Sequence, residues 1–214
     1  MGIKWRDFQM PKRLECDEST YTDTYGKFSA EPFERGYGVT LGNSLRRILL
    51  SSIEGAAVTS VRFAQAQHEF TAIPGVAEDV TEIILNIKSL VLRSNSKTPK
   101  TISIKKNKKG NIIAADIETD ETVEIVNRDL HIAALTRDVD FSLEMEVAKG
   151  RGYYSAEFNK KEDQPIGVIA VDSIFSPVIK AAFSTENTRV GQRTDYDRLI
   201  LEIWTNGAMN PKDA

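Results

Sequence analysis

Only two stretches of this chain repeat their apolar residues at the helical period over the length of a helix. That restricts the fold more than any other feature, because the remaining apolar segments are short or alternate at a period of two. In the first stretch, Thr40 to Glu54, the residues Leu41, Leu45, Ile48, Leu49 and Ile53 fall at i, i+4, i+7, i+8 and i+12. They share one face at 3.6 residues per turn and form the expected core face of a helix, with Thr40 as its N-cap and Gly55 at its stop. In the second, about Ala77 to Val91, the stripe is Val80, Ile83, Ile84, Ile87 and Val91. Its first turns carry Glu78, Asp79 and Glu82, where the helix dipole favours anions.

Strands are expected at Tyr25–Pro32, Ala56–Phe63, Gly167–Ser173 and Asp197–Trp204. Another is expected in "FSLEMEVAKG", with Phe141, Leu143, Met145 and Val147 on one side. "TISIKKNKKGNII" reads as a hairpin turning at Gly110. Arg93–Lys100 and Asn159–Gln164 read as loops. Many strands with two or three helices, not alternating one for one, exclude a doubly wound sheet and define an α+β class.

The first helical stretch is preceded by glycines, in "ERGYGVTLGNSLRRILLSS". Glycines leading into a helix often cradle a phosphate. Here the spacing does not fit. A dinucleotide fingerprint requires Gly-x-Gly-x-x-Gly with an acidic residue about 20 positions on. Gly36, Gly38 and Gly42 place the third glycine one residue late, inside the helix. No Gly-Lys-Ser/Thr of a P-loop occurs. On the helical wheel Arg47 points nearly opposite the stripe, with Leu50 beside it at i+3. An arginine there can make several directed hydrogen bonds to a partner while its stem packs; a solvated arginine beside a marginal leucine fits the wheel equally well.

Catalytic constellations are not evident. His68 and His131 are distant in sequence and lack a surrounding motif, and Cys16 has no base partner. Glu78–Val80 reads as a helix N-terminus and Asp195–Asp197 as a solvated turn. Lys105, Lys106, Lys108 and Lys109 read as a solvated hairpin tip that protects a sheet edge. The single cysteine allows neither an internal disulfide nor a cysteine-based zinc site. No catalytic, cofactor-binding or metal-ligating residue is therefore assigned. A net charge of −3 disfavours a chain that grips nucleic acid alone. The first residues lack the apolar core of a signal peptide, and no apolar run approaches the roughly 18 residues of a membrane span. A soluble, cytoplasmic protein is the expectation.

Seven segments in order carry a resemblance. They are "EPFERGYGVTLGNSLRRILLSS", "HEFTAIPGVAEDVTEIILNIKSLVLR", "AADI", "VEIVN", "GRGYYSAE", "QPIGVIAVDSIFSPV" and "RTDYDRLILEIWTNG". Together they resemble the N-terminal region of the bacterial RNA polymerase alpha-subunit family over nearly the whole chain. The resemblance implies a discontinuous dimerisation domain, residues 1–54 plus 178–214, with a strand-rich α+β domain, residues 55–177, inserted in it. It implies a homodimer that scaffolds the beta and beta-prime subunits of a DNA-directed nucleotidyltransferase. By motif, Arg47 and Leu50 match the beta contact, and Lys88 and Val171 the beta-prime contact. Family members usually continue past "TNG" into a further helix, a linker and a DNA-contacting domain. DNA contact is thus expected only through the assembled enzyme or that further domain. Two other readings remain at this point: a nucleotide-dependent enzyme using the glycines, and an autonomous nucleic-acid-binding protein.

Overall fold

In a computed structural model, which describes residues 9–66, 68–161 and 164–214, the chain leaves one folding unit, builds a second and returns to the first. It runs through β1 (Glu15–Cys16), β2 (Tyr25–Phe33) and α1 (Tyr37–Ser51). It continues through β3 (Glu54–Phe63), α2 (Val80–Lys88), β4 (Leu92–Ser94), β5 (Lys100–Lys106) and β6 (Gly110–Ile113). Then come β7 (Val123–Ile125), β8 (His131–Leu135), β9 (Phe141–Arg151), β10 (Tyr153–Tyr154) and α3 (Ala156–Asn159). The last elements are β11 (Val168–Ala170), β12 (Ser173–Ile174), β13 (Val178–Val190) and β14 (Arg193–Thr205). The fold is α+β. One unit comprises Met1–Ile53 with Pro177–Ala214, the other Glu54–Ser176. Residues 1–8, on which the signal-peptide reading falls, lie outside the described residues, as do Glu162 and Asp163 of the expected loop at 159–164.

The discontinuous unit is built on a four-stranded antiparallel sheet in the order β1-β2-β14-β13. Apolar residues alternate along β14: Leu199, Leu201 and Ile203 face α1, and together with Phe28, Ala30, Phe33, Leu49, Val178 and Ala181 they make its small core. The continuous unit has the larger core, around a sheet ordered β5-β9-β3-β4-β7, with β11 also on β3. Phe141, Leu143, Met145 and Val147 are all buried in it, as their alternation requires. So are Val80, Ile83 and Ile87 of α2. Asp79 caps α2, its Oδ1 accepting the Glu82 N–H at 2.7 Å.

Several expectations need correction. Helix α1 starts and ends three residues earlier than its stripe suggests, with Gly36, not Thr40, at the cap position, and Gly55 lies within β3. "TISIKKNKKGNII" is not a hairpin: β5 pairs with β9, and β6 with β8. Ile102 and Ile104 of β5 stand opposite Met145 and Leu143 of β9, and all four are buried. Leu45 and Ile48 are not core residues of the chain; they are 40% and 53% exposed. The reason lies in how α1 meets its sheet, described next.

Candidate functional site

The lead-in to α1 shows what its glycines do. Gly36 has φ +83°, a left-handed conformation that suits a residue without a Cβ. It carries no side chain with which to cap the helix. The carboxylate of Asp197 on β14 does so instead. Its Oδ2 accepts the Gly36 N–H at 2.8 Å and the Gly38 N–H at 3.2 Å. These are the free amide donors of a helix N-terminus, and an anion is favoured there. Asp197 is buried rather than the solvated turn residue expected. A phosphate cradle would need these amides, and the chain's own carboxylate already occupies them.

The other two glycines set a distance. A Cβ on Gly38 would stand 3.0 Å from Thr185 Cγ2 and from Asp197 Cβ. A Cβ on Gly42 would stand 2.5 Å from Phe183 Cδ2 and 2.8 Å from Leu199 Cδ1. Helix α1 therefore meets its sheet through Gly38, Gly42 and Leu49, which are its buried residues. Leu41 packs on Ala30, Phe33 and Leu199. Leu50 and Ile53 pack, half-buried, on the cluster of Phe28, Leu49 and Leu201. Leu50 is thus not the exposed neighbour of Arg47 that the wheel indicated. Close approach at the glycines rotates the helix toward them, and this leaves Leu45 and Ile48 on an exposed apolar flank near Tyr37.

Arg47 lies on the far side of the helix from Gly42 and Leu49 and is exposed. Among the described residues its guanidinium makes no ion pair or side-chain hydrogen bond; its backbone carbonyl accepts the Ser51 hydroxyl at 2.7 Å. Five unused N–H donors on a rigid helix are chemically suited to carbonyl or carboxylate acceptors on another molecule.

In the continuous unit, Lys88 closes the last turn of α2, and its Nζ lies 2.9 Å from Asp172 Oδ2. The same carboxylate accepts the Ala156 N–H at 2.9 Å through Oδ1. The Lys88 ammonium first, then the Ala156 amide, hold the Asp172 carboxyl below the usual carboxylate range. Both side chains are partly exposed, so the pair itself contributes little stability and can be re-formed with a partner's groups. Val171, next to Asp172, is only 2% exposed and belongs to the core. Its side chain is therefore not on the surface; it anchors the backbone from which Asp172 projects, and its N–H donates to the Thr59 carbonyl at 2.9 Å. Tyr153 and Ile174, cross-strand partners on β10 and β12, are exposed nearby in sequence.

Both histidines have partners of their own: Thr71 Oγ1 lies 3.0 Å from His68 Nδ1. His131 Nε2 lies 2.7 Å from Glu78 Oε1, and Glu78 Oε2 accepts the Ala134 N–H at 2.7 Å. Glu78 thus ties β8 to the segment before α2 instead of occupying the helix's first turn. Burial works against its charge, but the bonds from His131 and Ala134 outweigh it and hold the carboxyl below its ordinary value. Among the described residues no group of three or more histidine, cysteine or carboxylate side chains could hold a metal ion, and no helix is long and apolar enough to cross a membrane.

Asp197 is the residue that sequence reasoning missed. The sequence carried no signal for it: Thr40 stands ahead of the stripe as a ready N-cap, and the true cap position, Gly36, is evident only once the helix is seen to start at Tyr37.

Comparison with known proteins agrees along the chain. Residues 61–176 match the family described as the RNA polymerase Rpb3/RpoA insert domain. The chain is similar to proteins named DNA-directed RNA polymerase subunit alpha. That of Rhodopirellula baltica is 52% identical over 214 residues, 100% of this chain and 65% of the relative. That of Geobacter metallireducens is 51% identical, over 100% of this chain and 63% of the relative. That of Clostridium acetobutylicum is 53% identical over 208 residues, 97% and 66%. The chain thus spans just under two thirds of the length of these relatives.

Proposed function

Because the chain belongs to the RNA polymerase Rpb3/RpoA insert-domain family, we propose that it acts as the non-catalytic assembly subunit of a cytoplasmic DNA-dependent RNA polymerase. In this reading it forms a homodimer and scaffolds the beta and beta-prime subunits, and it meets DNA only through the assembled enzyme. The observation that carries the proposal is identity at about half of all positions, along the entire chain, to proteins named as alpha subunits. The geometry suits it. The exposed flank of Tyr37, Leu45 and Ile48 offers a self-complementary apolar strip for a second copy. Arg47, with Leu50 supporting the helix beneath it, serves as the beta contact. Lys88, released from or sharing Asp172, serves as the beta-prime contact, with Val171 holding that strand in place.

Stepwise reconstitution with purified subunits, followed by size-exclusion chromatography, tests this. Truncating an interface arginine removes directed bonds and leaves its partners unpaired, which at a hot spot costs about 2 kcal/mol or more, roughly a thirtyfold loss of affinity. Arg47→Ala should therefore lose beta capture while the dimer persists. Lys88→Ala should retain the alpha–beta intermediate and impair the joining of beta-prime. Normal beta capture by folded Arg47→Ala protein removes Arg47 from the interface, and failure of the unaltered chain to capture either large subunit overturns the proposal as a whole.

A further inference from the structure

Helix α1 is held against its sheet by apolar contacts along its length and by one polar contact at its N-terminus. The closest apolar contact is the seat of Gly42 against Phe183 and Leu199, in the middle of the helix. The polar contact is the Asp197 carboxylate, bonded to the Gly36 and Gly38 amides, 161 and 159 residues away in sequence. No lysine or arginine pairs with Asp197 among the described residues. Its polar partners are the amides of the helix lead-in. The apolar contacts set how near the helix lies to the sheet, whereas the directed bonds to Asp197 set the tilt of its first turn. Arg47 lies beyond Gly42 on the far side of the same rigid helix, so a change of tilt is carried along the axis to its guanidinium.

We propose that Asp197 is a positioning residue: it sets the pose of α1 and so of the partner-facing Arg47, acting through the Gly36 and Gly38 amides. This rests on the reading of Arg47 as the beta contact. The test uses Asp197→Ala and Asp197→Asn in the whole chain, with two readouts: the affinity for purified beta subunit and the hydrogen exchange of the α1 amides. Asparagine keeps an oxygen acceptor in the same place. Asp197→Ala should exchange residues 36–41 at least tenfold faster and bind beta at least tenfold more weakly. Asp197→Asn should recover most of both. Adding Arg47→Ala to Asp197→Ala should reduce affinity less than Arg47→Ala does alone, because the guanidinium is already displaced.

Wild-type affinity in folded Asp197→Ala protein, or losses that add fully, overturn the proposal. If Arg47→Ala alone leaves affinity unchanged, the reading of Arg47 fails. The anchoring of α1 is then judged by exchange alone, with unchanged protection at residues 36–41 refuting it. Should Asp197→Ala not fold, Gly38→Ala replaces it, since its Cβ would meet Asp197 Cβ at 3.0 Å and displace the carboxylate without deleting it. The same loss of affinity is expected, and unaltered binding refutes the proposal.

Discussion

Gly42→Ala reverses the usual sign of a glycine-to-alanine change in a helix. On an open helical surface, alanine stabilises by about 1 kcal/mol relative to glycine. At Gly42 the added methyl would lie 2.5 Å from Phe183 Cδ2, 2.8 Å from Phe183 Cγ and 2.8 Å from Leu199 Cδ1. Carbon atoms settle at about 3.5–4.0 Å, so either the helix or the base of the ring must retreat by roughly 1 Å. The ring cannot simply swing away, because Phe183 is laddered opposite Leu201 and packs into both small clusters under α1. Overpacking of this kind costs about 1–3 kcal/mol. With the propensity gain of about 1 kcal/mol subtracted, the variant should be less stable by up to about 2 kcal/mol. Urea unfolding followed by tryptophan fluorescence suits the measurement, since Trp204 lies in β14 of the same unit. Asn43→Ala, at an exposed neighbour on the helix, serves as the control and should change stability by no more than about 0.5 kcal/mol. A Gly42→Ala protein more stable than the unaltered chain, as on an open helical surface, would refute the close helix–sheet contact on which the description of α1 depends.

Two further outcomes follow from the same geometry. Leu49→Ala should lower stability by about 2–5 kcal/mol, because Leu49 is buried at 5% exposure, whereas Leu45→Ala should leave the unfolding midpoint almost unchanged and instead weaken self-association in sedimentation experiments. Glu78 has a folded pKa depressed below 4.5, so its contribution is fully present above that value and is lost as pH falls through the lower folded value. Glu78→Gln should therefore flatten the acid limb of the stability profile, read by circular dichroism with urea between pH 7 and pH 3, and identical slopes for the two proteins would sink this account.

What could be read from the sequence was what neighbouring residues decide among themselves. The alternation of Phe141, Leu143, Met145 and Val147 already specifies one buried face of β9, because a strand's side chains alternate whatever pairs beside it. The stripe of α2 does the same for Val80, Ile83 and Ile87. Which strand lies next to which is a different kind of information. The segment around Gly110 looked like a hairpin, yet β5 takes β9 as its partner, with Ser103 opposite Glu144. The contact face of helix α1 escapes the stripe for a related reason. A hydrophobic stripe weighs side chains, and the residues that set its contact face, Gly38 and Gly42, have none. Its face is defined by how near the backbone must come to Thr185, Phe183 and Leu199, all contributed by the returning segment. The glycines that lead into α1 bring no side chain of their own to cap its first amides, and the sequence alone does not say what will. A bound phosphate and a buried carboxylate satisfy the same two amides. What decides between them is the residue that arrives opposite, and in this chain β14 brings Asp197 there.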